Sequence, residues 1–123
     1  MAKNIYDQHQ NAFASVSAYV IMRDHVRVAT VAFKFPRDGA SRLYAYVHWH
    51  GVPMVRGSAG GYGYDKKTAA CNSASRAIQK LHTTEFIAKS AHQVEFINAL
   101  AIDDGNDWDR NLRNAGFEVL QAV

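Results

Sequence analysis

Residues 42–49 read Arg42-Leu43-Tyr44-Ala45-Tyr46-Val47-His48-Trp49, and this octet decides the fold class. Side chains alternate across a strand, so Leu43, Ala45, Val47 and Trp49 fall on one side and Tyr44, Tyr46 and His48 on the other. The octet therefore predicts a strand with an apolar face and a tyrosine-histidine face. Toward the N-terminus, residues 26–35 and 15–22 are rich in β-branched and aromatic side chains and flank Arg23, Asp24 and His25, which predicts a hairpin. Pro36, Asp38 and Gly39 break the chain between this hairpin and the octet. Residues 4–13 carry Ile5, His9 and Phe13 at helical spacing and predict a short, polar first helix.

Toward the C-terminus, His50 and Gly51 can turn the chain into residues 52–56, a short fourth strand in which Pro53, lacking an amide donor, points to a sheet edge. Gly57, Gly60, Gly61 and Gly63 then predict a loop. Asp65 has the character of a helix N-cap, and Ala70, Ala74, Ala77, Ile78 and Leu81 give the helix after it one apolar stripe. Its side chains are small, so this helix should lie close to the sheet. Ser90 and Gln93 have capping-box spacing ahead of Val94, Ile97, Leu100 and Ala101, which predicts a second helix. Asn106 or Asp107 can cap a third, short helix with Trp108, Leu112 and Ala115 on one face and Gly116 as its stop. Residues 117–122 follow as a short strand. The whole reads as a single α+β domain over residues 1–123: an antiparallel four-stranded meander, then two or three helices and a short C-terminal strand.

The bulk properties agree with one domain, since 123 residues with 48% apolar content can build a single core. The first ten residues hold Lys3, Asp7 and His9 with no apolar run behind them, so neither a signal nor a transit peptide is expected, and no stretch has the length of a membrane span. Cys71 is the sole cysteine, which precludes an intrachain disulfide and suits a reducing compartment. The net charge of +3 is uneven, with seven basic and three acidic residues up to Gly61 and seven and eight beyond it. That balance permits a polyanionic partner without demanding one.

Two groups of residues stand out as candidate binding sites. Arg56, Gly60, Gly61, Tyr62, Gly63, Tyr64, Lys66 and Lys67 form a glycine-rich run entering a helix, where free amides and two ammonium groups suit a phosphate or carboxylate. The run is not a nucleotide-binding P-loop, because Asp65 stands where that motif needs glycine. Its plain alternative is a connection with a good cap. Tyr44, Tyr46 and His48, with Tyr19 and Arg42 beside them, make an aromatic face that can stack bases or anchor a protein, or else lie beneath the chain's own helices.

Other features lead to blander readings. His48 and His50 point the same way, as paired metal ligands do, but no third ligand adjoins them, so neither metal nor cofactor is expected. Cys71 in an alanine-rich helix reads as a small packed side chain rather than a nucleophile. Asp103, Asp104, Asp107 and Asp109 around Gly105 fit a helix start better than a calcium loop, the sharper alternative being an acidic patch that mimics nucleic acid. No set of catalytic residues is complete, and no enzymatic role is expected.

The run Gly61-Tyr62-Gly63-Tyr64-Asp65-Lys66-Lys67-Thr68-Ala69, continuing to Ala74 and Leu81, resembles the last loop and helix of double-stranded RNA-binding domains. That resemblance implies phosphate contacts by Lys66 and Lys67. Asp65 and Ala70 depart from the family's serine and basic residue, and the residues after Leu81 have no place in its fold. The segment from Arg56 to Ala70 also resembles small proteins carried by bacterial viruses and mobile elements, some of which block host defence, including CRISPR complexes. The second resemblance implies a non-enzymatic inhibitor in the host bacterium's cytoplasm that docks on a host protein or ribonucleoprotein complex handling nucleic acid. Direct nucleic-acid binding through the glycine-rich run is the alternative. No membrane partner is expected, and oligomeric state is left open.

Overall fold

The computed structural model describes residues 17–35, 39–49, 58–80 and 91–122. The elements run β1 (Ala18–Arg23), β2 (Val26–Lys34), β3 (Leu43–Trp49), β4 (Ser58–Gly63), α1 (Lys66–Lys80), α2 (Ala91–Leu100), α3 (Arg110–Asn114) and β5 (Glu118–Gln121). The strands form one antiparallel sheet in the order β4-β3-β2-β1-β5, so the first four make a meander and the C-terminal strand joins at the free side of β1. The α+β class and the meander agree with the sequence reading. The expected helix at residues 4–13, the expected strand at residues 52–56, and Arg56, His50, Leu81 and Ser90 lie outside the described residues.

The first hairpin turns through Asp24 and His25, whose φ angles of 51° and 65° both lie in the left-handed region. Two such residues in succession give the tight turn whose twist matches that of the flanking strands. Directly before it, Arg23 fastens the hairpin to the helices. Its guanidinium pairs with Glu95 of α2, donates to the Ala115 carbonyl at the end of α3, and lies 3.8 Å from the Phe117 ring centroid.

The fourth strand corrects the sequence reading. The glycine-rich stretch expected as a loop is β4 itself, paired Leu43↔Gly63, Tyr44↔Tyr62, Ala45↔Gly61 and Tyr46↔Gly60. Here glycine serves close approach rather than a turn. A Cβ on Gly61 would run into the α1 backbone at Ser73 and Asn72, and one on Gly63 into Ala69 and Thr68. Ala69, Ala70, Ser73, Ala74 and Ala77 are buried on the matching helix face, so small side chains on both sides let α1 lie directly on the sheet, as its stripe predicted. Gly60 faces the other way, and there a Cβ would strike the Tyr44 ring.

All three helices contribute to one core against β1–β3. Phe33 and Trp108 meet edge to face at 5.1 Å, Tyr19 lies 4.7 Å from Trp108, and Phe96 meets Phe117 at 6.1 Å. Tyr19 thus belongs to the helix-covered face and not to the face of Tyr44 and Tyr46, as parity along β1 and β2 requires: Tyr19 pairs with Val31, and Val31 with Val47.

The end of the chain also departs in detail from its sequence reading. Neither Asn106 nor Asp107 caps α3; Asp109 holds the N-cap position without a side-chain cap bond, because its carboxylate accepts from Arg113 Nε at 3.0 Å. Trp108 is buried ahead of the helix, Leu112 is buried within it, and Ala115 is exposed. Gly116 does end the helix, at φ 92°, with Phe117 N donating to Leu112 O and Gly116 N to Arg113 O, both at 3.0 Å. Those paired bonds are the glycine-terminated C-cap. No helix among the described residues is long and apolar enough to cross a membrane.

Candidate functional site

The start of α1 is built as a cap. Asp65 Oδ1 accepts the Thr68 amide at 2.7 Å, and that bond holds the Asp65 carboxyl below its ordinary range. An anion approaching this helix end would find a carboxylate already seated on the amide that should receive it.

Lys66 turns inward. Its Nζ donates to Ser17 Oγ at 3.0 Å and Tyr19 Oη at 3.1 Å, and lies 5.4 Å and 5.5 Å from the ring centroids of Tyr19 and Phe33. The methylene stem packs while the ammonium gathers two hydroxyls and two π faces, so this cation ties α1 to β1. Lys67 lies 3.6 Å from the Asp103 carboxylate. The two lysines that the sequence placed together for a phosphate are thus both engaged, and they point to different neighbours.

The second sheet face is divided. Ala18, Thr30, Ala32 and His48 are buried at its centre, and burial pushes the His48 imidazole below its usual range. Toward β4 the face opens. Tyr44 and Tyr46 are half-buried and lie 5.9 Å apart, and Tyr62 adds a third ring 4.7 Å from Tyr44 with 43% of its surface exposed. Tyr44 spreads across Gly60, so a Cβ there would have to displace the Tyr44 ring. Burial chiefly, then the neighbouring phenols of Tyr46 and Tyr62, raise the Tyr44 hydroxyl above its ordinary value, while the Arg76 guanidinium acts in the opposite sense. Tyr64, just past β4, is 78% exposed.

Where this tyrosine surface meets the edge of β4, an open cleft of about 390 Å³ lies between the strand and α1. Its strand side is Gly61 and Tyr62 with Arg42 from the approach to β3; its helix side is Asn72, Ser75, Arg76 and Gln79. The four helix residues recur at i, i+3, i+4 and i+7 and so share one face of α1. Asn72 Nδ2 donates to the Tyr62 carbonyl at 2.7 Å, which locks helix to strand at the floor. The Arg42 guanidinium carbon lies 5.9 Å from the Tyr62 ring centroid. Among the described residues neither Arg42 nor Arg76 forms an ion pair with a carboxylate, whereas Arg23, Lys67 and Arg113 all do. Two forked cations with open donors beside exposed aromatic rings can hold an acidic group and pack an apolar one next to it.

Sequence reasoning found the tyrosines, Gly60, Gly61 and Arg42, but missed Arg76, Asn72 and Gln79. The signal was present as a polar i, i+3, i+4, i+7 row, opposite an alanine stripe that drew attention to the buried side alone.

The remaining candidates have internal roles. Cys71 is half-buried with Sγ 3.4 Å from the Ala101 carbonyl, and burial pushes its thiol up, away from the thiolate form. Asp104 accepts from the Asn106 amide and the Asn111 side chain, each at 3.1 Å, while Asp103, Asp107 and Asp109 contact Lys67, the Trp108 amide and Arg113. This acidic stretch organises its own loop. Among the described residues no group of His, Cys, Asp or Glu is placed to hold a metal ion.

Comparison of the chain with protein-family models, with curated proteins and with solved structures found no match in any of the three.

Proposed function

We propose that the protein is a non-catalytic binding protein of the bacterial-virus or mobile-element type, which docks on a host complex that handles nucleic acid and inhibits it. The observation that carries this reading is the pair of exposed arginines, Arg42 and Arg76, which meet no carboxylate among the described residues and stand beside the rings of Tyr44, Tyr46 and Tyr62. Tyr and Arg are the residue types that most often dominate protein interfaces, because they offer large, stiff contact area together with directed donors. The resemblance of the segment from Arg56 to Ala70 to small proteins of bacterial viruses and mobile elements, some of which block host defence, supports the choice of target.

The test is affinity purification of the tagged protein from a bacterial host. Assay of the recovered complex for nucleic-acid binding or cleavage follows, with wild-type protein and with Tyr62→Ala added back. Inhibition that is weakened by Tyr62→Ala is the expected result. Recovery of no specific complex, or of one whose activity is untouched, would refute the reading.

Direct nucleic-acid binding remains the second reading, favoured by the same tyrosine-arginine surface, since stacked rings beside cations also suit single strands. It loses support at the helix start, where Lys66 and Lys67 are engaged and Asp65 carries a charge. Binding to labelled duplex RNA, duplex DNA and single strands at low and physiological salt separates the two. Tight, salt-sensitive binding that flattens in Lys66→Ala, Lys67→Ala would favour the helix start as a phosphate site.

A further inference from the structure

We infer that the cleft between β4 and α1 is a receptor for the carboxylates of an acidic protein segment, with Arg42 and Arg76 as the paired anchors. The inference rests on the docking reading above and names the chemistry of the partner at that site. Both guanidiniums are exposed, and among the described residues neither has a carboxylate of this chain to neutralise it. Each offers a planar fork that matches a carboxylate in two parallel bonds. Asn72, Ser75 and Gln79 complete a polar wall, and the Tyr62 ring gives a neighbouring side chain an apolar rest.

The size of the cleft and the charge toward the start of α1 favour a short acidic segment over a nucleic-acid backbone. A phosphodiester chain carries regularly spaced charges and needs a continuous basic track. Toward the start of α1 the next cations from Arg76 are Lys67 and Lys66, nine and ten residues back and about 15 Å away at helical rise, while Lys80 follows Arg76 by one turn at the other end of the helix. Lys66 is bound beneath the helix and Lys67 faces Asp103. Asp65, its carboxylate kept ionised by the Thr68 amide, then presents the wrong sign to a phosphate. Toward the helix start the basic surface therefore ends at Arg76, and a cleft of about 390 Å³ holds a few side chains rather than a strand of nucleotides.

The experiment titrates fluorescein-labelled hexaglutamate, and separately labelled oligothymidylate, into the purified full chain at low salt by fluorescence anisotropy. The ¹⁵N spectrum of the protein is followed in parallel at the Arg42 and Arg76 Nε–H groups and the Asn72 side-chain amide. The expected result is saturable binding of hexaglutamate that moves those three signals. Arg42→Ala or Arg76→Ala alone should weaken it roughly threefold, and the double change about tenfold, as partly exposed charge pairs do. Arg27→Ala, an exposed arginine on β2 away from the cleft, should leave affinity unchanged.

No saturable binding of hexaglutamate would overturn the inference, and so would an equal loss in Arg27→Ala, which would mark the binding as diffuse attraction. Tighter oligothymidylate binding with the same dependence on Arg42 and Arg76 would also overturn it and assign the cleft to nucleic acid. Failure to recover a host complex, with hexaglutamate still bound at the cleft, would refute the inhibitor reading and leave the acidic-segment site standing.

Discussion

The start of α1 carries two cations and the cleft beside its middle is lined by two more, and the two regions use them oppositely. At the start, Lys66 is drawn under the helix by Ser17, Tyr19 and Phe33, Lys67 meets Asp103, and Asp65 closes the first turn. In the middle, Arg76 and its neighbour Arg42 project over a polar cleft and meet no carboxylate among the described residues. A cation that satisfies its own fold is unavailable to a partner, whereas one left with open donors costs little stability and can be spent on recognition. The contrast separates architecture from interaction along a single helix, and it can be broken by substitution.

The largest effect should come from the seat that both regions share. Gly61 lies against the backbone of α1 at Ala69, Asn72 and Ser73, so Gly61→Val must push the helix off β4. A loss of about 3 kcal/mol or more is expected from overpacking of this kind, read as a lowered denaturant midpoint. The same change should open the cleft and abolish hexaglutamate binding. A fully stable Gly61→Val protein would contradict the packing of α1 on β4.

Next in size is Lys66. Lys66→Ala removes two hydrogen bonds and the packed stem over Tyr19 and Phe33, and should cost about 1–2 kcal/mol. Lys66→Met, which keeps the stem, should cost less. Neither change should alter hexaglutamate affinity by more than about twofold, since the ammonium faces the sheet rather than the cleft and distant sites couple weakly. A Lys66→Ala protein of unchanged stability that had lost anion binding would reverse the roles assigned to the two regions.

Asp65 should follow at about 1 kcal/mol for Asp65→Ala, the ordinary cost of losing an N-cap. The pH dependence has a definite sign. The Thr68 amide lowers the carboxyl below its ordinary value of 3.8, so the folded state favours the ionised form. Its contribution is complete above that value and disappears as pH falls through it and then through the lower folded-state value. The stability difference between wild type and Asp65→Ala should therefore shrink in acid, and a difference that stayed constant from neutral pH to below pH ~3 would argue against an ionised cap.

These contrasts also mark how far the sequence could be read. Alternation along residues 42–49, the Asp24-His25 turn, the Asp65 cap and the Gly116 stop were all legible, because each depends on neighbours in the chain. The glycine-rich strand was not. Glycine in β4 answers to α1 and to the Tyr44 ring, which are contacts across the fold, and local rules read the same residues as a loop. The engagement of Lys66 was hidden for a like reason, since Ser17 and Tyr19 stand on the other side of the sheet's sequence from the helix they fasten. Arg76 was hidden because only the docking of α1 on β4 brings it toward Arg42.

The smallest stability effect belongs to the cleft itself, and its smallness is the point. Arg42→Ala and Arg76→Ala should each shift stability by no more than about 0.5 kcal/mol, as surface changes away from ion pairs and caps usually do. Removing Arg76 also relieves nothing buried: the Tyr44 hydroxyl loses a cation that had partly offset the rise imposed by burial, so its titration should move further upward, a change visible in the phenolate absorbance. A stability loss near that of Lys66→Ala would mean that Arg42 or Arg76 serves the fold after all, and the distinction between the two halves of α1 would collapse. A near-neutral change in stability, paired with a clear loss of hexaglutamate affinity, is the outcome that a residue kept for a partner should give, because its favourable interaction exists only in the complex.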